Sequence, residues 1–140
     1  MSLFQDPLLQ DGLVAFESAD YFKAHEFWED LWRLMPEEAP FKSWLQGLIQ
    51  LAVGLHHWQR GNLSGAKSVL DKAIKNLSSV SFSKESLIQL SFRPASSPEA
   101  TLCPQKVLEL AQSLQHHLMM AQASSLNPFP ELPLCSLRGL

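Results

Sequence analysis

The sequence lacks the features that mark several large classes of protein. It has only two cysteines, Cys103 and Cys135, far apart and without metal-ligand spacing, so we expect a reducing compartment and no disulfide framework. It has no basic tract and a formal net charge of -3, which argues against nucleic acid as the main partner. No segment approaches the roughly 20 apolar residues that span a bilayer. The first residues, MSLFQDPLLQDG, are too acidic for a signal peptide, so we expect a cytoplasmic protein with no membrane partner.

Several catalytic signatures are missing as well. The sequence contains no glycine-rich phosphate loop, no nucleophile elbow and no cysteine–histidine pairing. The sequence is rich in apolar residues, since 46% of its 140 residues are hydrophobic. That amount is enough to build the core of one domain and makes disorder an improbable main state.

Helical periodicity accounts for most of the chain and indicates an all-α fold. The predicted helices cover residues 7–17, 21–34, 41–60, 63–77 and 104–123, with a weaker short helix at 83–90. The prediction is a compact bundle of about five helices with a central antiparallel hairpin, made by the third and fourth helices. We expect a single helical domain over 1–124 and an irregular proline-rich tail over 125–140. No internal repeat is apparent, although 41–77 resembles one hairpin of a helical solenoid.

Local signals within these helices give finer expectations. Gly12 slightly weakens the first helix, and Gly54 leaves room for a neighbouring helix to approach the third. Gly61 suits a left-handed residue at the end of the third helix. Asp71 and Lys75 are spaced as a favourable pair on the fourth helix.

The stretch YFKAHEFWEDLWRLMP resembles the start of a zinc-protease helix and then departs from it. A zincin needs the motif H-E-x-x-H, but here the fifth position is Glu29. His25 and Glu29 lie one turn apart at the edge of the apolar stripe, so they could form half of a metal site. Two structural alternatives are that His25 bonds to Glu29, or that Glu29 forms a salt bridge with Arg33, and the structural interpretation is favoured.

The third helix carries a second polar set, with Gln50 and His57 on the side opposite its main apolar stripe. If that side faces solvent, these are ordinary surface residues, which the sequence alone slightly favours. If the third helix is central, they could instead join His25 and Glu29 in a buried polar cluster.

Two stretches of the sequence resemble a known family, the prokaryotic domain of unknown function 309 (DUF309), and indicate a cyanobacterial-type member. They are YFKAHEFWEDLWR and WLQGLIQLAVGLHHWQRGNLSGAKSVLDKAI. The resemblance covers about 16–77. Its hallmarks are Y-F-x-A-H-E-x-x-E-x-x-W, G-L-I-Q-x-A and H-x-x-R-G-N-x-x-G-A, matched here by Tyr21, His25, Glu26, Glu29, Trp32, Gly47, Gln50, Ala52, His57, Arg60, Gly61, Asn62, Gly65 and Ala66. The resemblance implies an all-helical fold with no assigned activity, and it favours a polar cluster between the second and third helices.

The leading hypothesis is a non-enzymatic interaction or scaffold module that needs no cofactor. Its partner would be a second copy of the chain or another protein. The candidate polar cluster comprises His25, Glu26, Glu29, Gln50 and His57, supported by Tyr21, Trp28, Trp32, Arg60 and Asn62.

Two alternatives remain open. One is a metal-dependent hydrolase in which His25, Glu29 and His57 bind a divalent metal and Glu26 or Gln50 handles water. The other is a small-ligand pocket lined by three tryptophans, Trp28, Trp32 and Trp44.

Overall fold

Five helices and no strand make up residues 6–39, 41–79 and 104–124, the part of the chain described by a computed structural model. The helices are α1 (Pro7–Glu17), α2 (Tyr21–Leu34), α3 (Lys42–Gln59), α4 (Leu63–Ser78) and α5 (Pro104–Ser124). The all-α prediction is confirmed, and the bounds of α1 and α2 agree with those predicted. The short helix expected at 83–90, the tail at 125–140 and both cysteines lie outside the described residues.

Short polar side chains begin three of the helices. Asp6, Asp20 and Asn62 each accept a hydrogen bond from a backbone N–H of the first turn, at 2.9, 3.2 and 3.0 Å. These bonds satisfy N–H groups that have no partner inside the helix, so they set where α1, α2 and α4 start.

Each helix packs against its neighbours in the chain. The main contacts join α1 to α2, α2 to α3, α3 to α4 and α4 to α5, and the contact between α3 and α4 is the most extensive. Trp28, Trp44 and Trp58 are buried in the core, as expected for tryptophans on apolar stripes. α3 is the middle one of the five described helices and packs on both α2 and α4. None of the described helices is long and apolar enough to cross a membrane.

Gly12 is a packing residue, which corrects the expectation that it merely weakens α1. A Cβ atom added at Gly12 would lie 2.5 Å from Trp28 Cδ1, and closer still to the indole nitrogen. The Trp28 Nε1–H donates to the carbonyl oxygen of Leu9 at 3.1 Å, so the indole lies directly on the backbone of α1. Only glycine leaves space for this contact.

The first two helical hairpins are built alike, so the chain does contain a repeat that the sequence analysis misses. In α1–α2 a glycine faces Trp28, and in α3–α4 a glycine at the equivalent place faces Leu70, whose Cγ would lie 3.0 Å from an added Cβ. Residues at a constant spacing along the chain fill equivalent places. The pairs are Gly12 and Gly54, Trp28 and Leu70, Ala19 and Gly61, and Asp20 and Asn62. The repeat is hard to recognise because the side chains differ while the packing positions persist.

The corners of the two hairpins share one backbone geometry. Ala19 and Gly61 have positive φ angles of 61° and 79°. The backbone N–H of the N-cap residue that follows, Asp20 or Asn62, bonds back to the carbonyl oxygen five positions earlier, at 2.9 Å in both corners. This is the Schellman arrangement, and the left-handed conformation predicted for Gly61 is confirmed.

Asp71 connects α4 to α5 and does not pair as predicted. Its carboxylate lies 3.1 Å from Lys67 Nζ, on the side away from Lys75 in the chain, and accepts a hydrogen bond from Gln115 Nε2 at 2.7 Å. The hydrogen bond from Gln115 lowers the pKa of Asp71. Burial of the carboxylate opposes this change, and the nearby Lys67 lowers the pKa further. The expected pair with Lys75 is therefore replaced by a contact that holds α5 on α4.

Candidate functional site

His25 is held by two contacts within its own helix. Its side chain is 19% exposed, and its Nδ1–H donates to the carbonyl oxygen of Phe22 at 2.7 Å, because a carbonyl oxygen can only accept. Its Nε2 lies 3.2 Å from Glu29 Oε2, and this contact is an ion pair when the ring carries both protons. Both ring nitrogens of His25 therefore have partners in α2.

Glu29 is also engaged on both oxygens. Oε2 faces His25, and Oε1 accepts from Arg33 Nη2. Arg33 reaches Asp30 as well, with an N···O distance of 3.4 Å. The two structural contacts considered for Glu29 thus coexist, while Glu26 lies exposed on the outer side of the helix with Asp30 and Arg33.

Gln50 and His57 bond to residues of α4 and its cap. Asn76 Nδ2 donates to Gln50 Oε1 at 2.7 Å. Asn62 Nδ2 lies 3.2 Å from His57 Nδ1. Because Asn62 Oδ1 already accepts the N–H of Gly65, its amide nitrogen must face the imidazole, so His57 accepts through Nδ1 and carries its proton on Nε2. The candidate residues are thus divided into a network on α2 and two contacts between α3 and α4.

A three-residue metal site is not assembled by these side chains. Within the described ranges, no group of three or more histidine, cysteine, aspartate or glutamate side chains is arranged to hold a metal ion. His25 and Glu29 form a pair, and the third predicted ligand, His57, bonds to Asn62.

The supporting residues divide between core and surface. Tyr21 and Trp28 are 1% and 0% exposed, and burial raises the pKa of Tyr21 to about 12. Arg60 and Asn62 are exposed. Trp32 is partly buried, and its indole Nε1–H finds no hydrogen-bond partner in the described structure.

Lys42 is a buried charge that sequence reasoning missed. It is 8% exposed, and its Nζ donates to the carbonyl oxygen of Met35 at 2.9 Å and to Glu37 Oε1 at 3.0 Å. The same nitrogen lies 4.4 Å from the centre of the Trp32 ring, a cation–π distance. Lys42 therefore ties the end of α2 to the start of α3, and the available signal was a lysine opening an otherwise apolar helix.

His56 and Phe22 form a second missed feature, beside the α2 network. Phe22 is 49% exposed, and its ring centre lies 5.0 Å from that of His25 and 5.3 Å from that of His56. Burial, followed by the charges of Arg60, His57 and His25, lowers the pKa of His56, while Asp20 opposes the change. His56 lies in the last turn of α3, and Arg60 is the residue that caps this helix. Their spacing of four was a usable signal, because it places both residues on one side of the helix.

Comparison with known proteins gives a family and two relatives. Residues 9–69 match the family model described as "Domain of unknown function (DUF309)". The chain is 41% identical over 68 residues to the "Uncharacterized protein YpuF" of Bacillus subtilis, covering 48% of this chain and 38% of that protein. It is 31% identical over 70 residues to an "Uncharacterized protein" of Aquifex aeolicus, covering 50% of this chain and 21% of that protein. No solved structure matches.

The matches cover only part of each relative. The chain spans about two fifths and one fifth of the lengths of the two relatives, and the printed names of both proteins state no activity. The resemblance to DUF309 is confirmed, whereas a cyanobacterial-type membership stays a prediction.

Proposed function

Since residues 9–69 match the model of the DUF309 family, we propose that the chain is a non-enzymatic interaction or scaffold module whose polar residues on α2 and α3 are structural. The observation that carries this proposal is the internal pairing of His25. Its Nδ1 bonds to Phe22 and its Nε2 faces Glu29, so neither nitrogen is directed at solvent alone. When both ring nitrogens carry a proton, they donate to Phe22 and Glu29 and leave no free lone pair, which a general base or metal ligand needs.

The remaining members of the candidate cluster support the same interpretation. Glu29 shares its carboxylate between His25 and Arg33, and Gln50 is paired with Asn76 across the α3–α4 contact. Half-buried polar groups that satisfy one another in this way fix the positions of the helices that carry them.

The surface offers apolar contacts for association. Several large hydrophobic side chains are exposed: Val14, Phe22, Leu34, Met119 and Met120. Leu34, at the end of α2, is 75% exposed. Each of these side chains offers apolar contact area to a second copy of the chain or to a protein partner. We expect the module in the cytoplasm with neither nucleic acid nor membrane as partner.

Light scattering at several concentrations, combined with a pull-down from lysate, tests the proposal. We expect either a concentration-dependent rise in mass or a specific partner, and weaker association for Leu34→Ser than for the control Ser79→Ala, an exposed position. A strict monomer that captures no partner would contradict the module.

A metal-dependent hydrolase is the second candidate, favoured by the 3.2 Å separation between His25 Nε2 and Glu29 Oε2. A divalent cation bound between these atoms would need His57 or another ligand to complete its coordination, with Glu26 or Gln50 handling water. Elemental analysis of protein purified without a histidine tag, with thermal shifts in zinc, manganese and iron, tests it. Stoichiometric metal that Glu29→Gln abolishes would support the hydrolase, and the absence of both metal and shift would eliminate it.

A further inference from the structure

We propose that Phe22, His25, His56 and Arg60, which we name the Phe22 surface, bind a carboxylate-bearing side chain of a protein partner. The inference rests on the proposed interaction function, since it names the chemistry of the partner that the module would recognise. The surface lies where the first turn of α2 meets the last turn of α3.

The apolar part of the Phe22 surface is a phenyl ring held between two imidazoles. Phe22 is 49% exposed, with the His25 and His56 rings at 5.0 and 5.3 Å. Neighbouring rings restrict the motion of the phenyl group, so little side-chain entropy remains to be lost when a partner covers it. Phe22 also belongs to the first turn of α2, where the helix dipole favours negative charge.

The charged part of the surface is the guanidinium of Arg60. Arg60 is exposed, and its guanidinium forms no ion pair within residues 6–39, 41–79 and 104–124. The backbone N–H of Arg60 donates to the carbonyl oxygen of His56 at 3.2 Å, so the two residues lie one helical turn apart. A carboxylate placed here would pair with the planar fork of Arg60.

Arg33 shows what a compensated arginine looks like in the same protein. It pairs with Glu29 and Asp30 on the outer side of α2. Arg60 has no such acidic partner among the residues that the structure describes. Arg33 therefore supplies the matched control for Arg60.

A carboxylate on a protein fits the Phe22 surface better than a phosphate does. The surface joins one arginine to an aromatic ring, and the sequence has no basic tract of the kind that neutralises several phosphates. A single carboxylate beside an apolar group satisfies both parts. Phenylacetate carries this chemistry in its smallest form and is the probe for the experiment.

The test follows the side-chain NMR signals of Phe22 and His56 in the full chain during titration with phenylacetate. We expect saturable shifts, and binding at least about fivefold weaker for Arg60→Gln, because a charge-assisted pair is lost. Arg33→Gln should bind as the wild type does.

Three results would overturn the inference: no saturable shift, equal shifts with the neutral probe phenylethanol, or equal effects of Arg60→Gln and Arg33→Gln. Phenyl phosphate is the remaining arm, and binding more than about tenfold tighter than phenylacetate would assign the surface to phosphate instead. Circular dichroism of Arg60→Gln verifies that the helices are intact. These outcomes are independent of light scattering and pull-down, so the surface and the module can fail separately.

Discussion

Replacing Gly12 by alanine tests the close packing of α1 on α2. The added methyl group would collide with the Trp28 indole, which is fully buried and bonded to the carbonyl oxygen of Leu9. Because Phe16 packs at 5.8 Å from the same indole, the ring cannot move without disturbing the core.

The expected magnitude combines three effects. Alanine is a better helix former than glycine by about 1 kcal/mol, which alone would stabilise α1. Overpacking opposes this with roughly 1–3 kcal/mol. Displacing the indole N–H from Leu9 leaves buried polar groups unsatisfied, at roughly 1–3 kcal/mol. We therefore expect Gly12→Ala to lower the free energy of unfolding by about 3 kcal/mol.

Urea unfolding followed by circular dichroism measures this change. With a slope of roughly 2 kcal/mol per molar urea, the midpoint should fall by about 1.5 M. Gly54→Ala is the matched control, because its nearest neighbour is the flexible Leu70 side chain at 3.0 Å, and its effect should stay within about 1 kcal/mol.

A double variant identifies the cause. In a Trp28→Leu background the space around position 12 opens, so Gly12→Ala should cost less than about 1 kcal/mol there. A neutral or stabilising Gly12→Ala in the wild-type background, or the same cost in both backgrounds, would refute the packing argument.

Three further predictions concern other contacts. Ala19 and Gly61 both have positive φ, which favours glycine. In thermal unfolding, Ala19→Gly should therefore raise the free energy of unfolding by about 1 kcal/mol, and Gly61→Ala should lower it by a similar amount. Changes of the opposite sign would contradict this. Gln50→Leu alone should lower the free energy of unfolding by about 1–2 kcal/mol, and adding Asn76→Leu should restore most of it. Additive effects in a double-mutant cycle measured by urea unfolding would contradict this. The pKa of His56 is lowered in the folded state. Below the ordinary histidine pKa of about 6.5 the unfolded chain therefore binds more protons than the folded chain, so the free energy of unfolding should decrease as the pH decreases. His56→Gln should flatten this dependence between pH 7 and pH 5, and equal slopes would argue against it.

Helix bounds were predictable because their signals are local. Helix starts are indicated by the short polar side chains of Asp6, Asp20 and Asn62, and the left-handed end of α3 is indicated by Gly61. The role of Gly12 was not predictable in this way, because it depends on where an indole from the next helix lies. Long-range packing decided that position, and a propensity argument pointed the other way.

The candidate site shows the same division. The helical spacing of His25, Glu29 and Arg33 correctly indicated their pairing along α2. The partners of Gln50 and His57 could not be read from spacing, since either face of a central helix can meet a neighbour. Both residues bond to side chains of α4 or its cap, which depends on how α3 is rotated between its two neighbours.

The neighbour-to-neighbour packing of the described helices bears on how fast the protein folds. Most contacts join segments that are close in the chain, so the contact order is low and little loop-closure entropy opposes each step. The extensive α3–α4 contact, closed by the short corner at Gly61, is suited to form early. α5 begins at Pro104, far along the chain from the end of α4 at Ser78, so protection of its amides from hydrogen exchange should develop last.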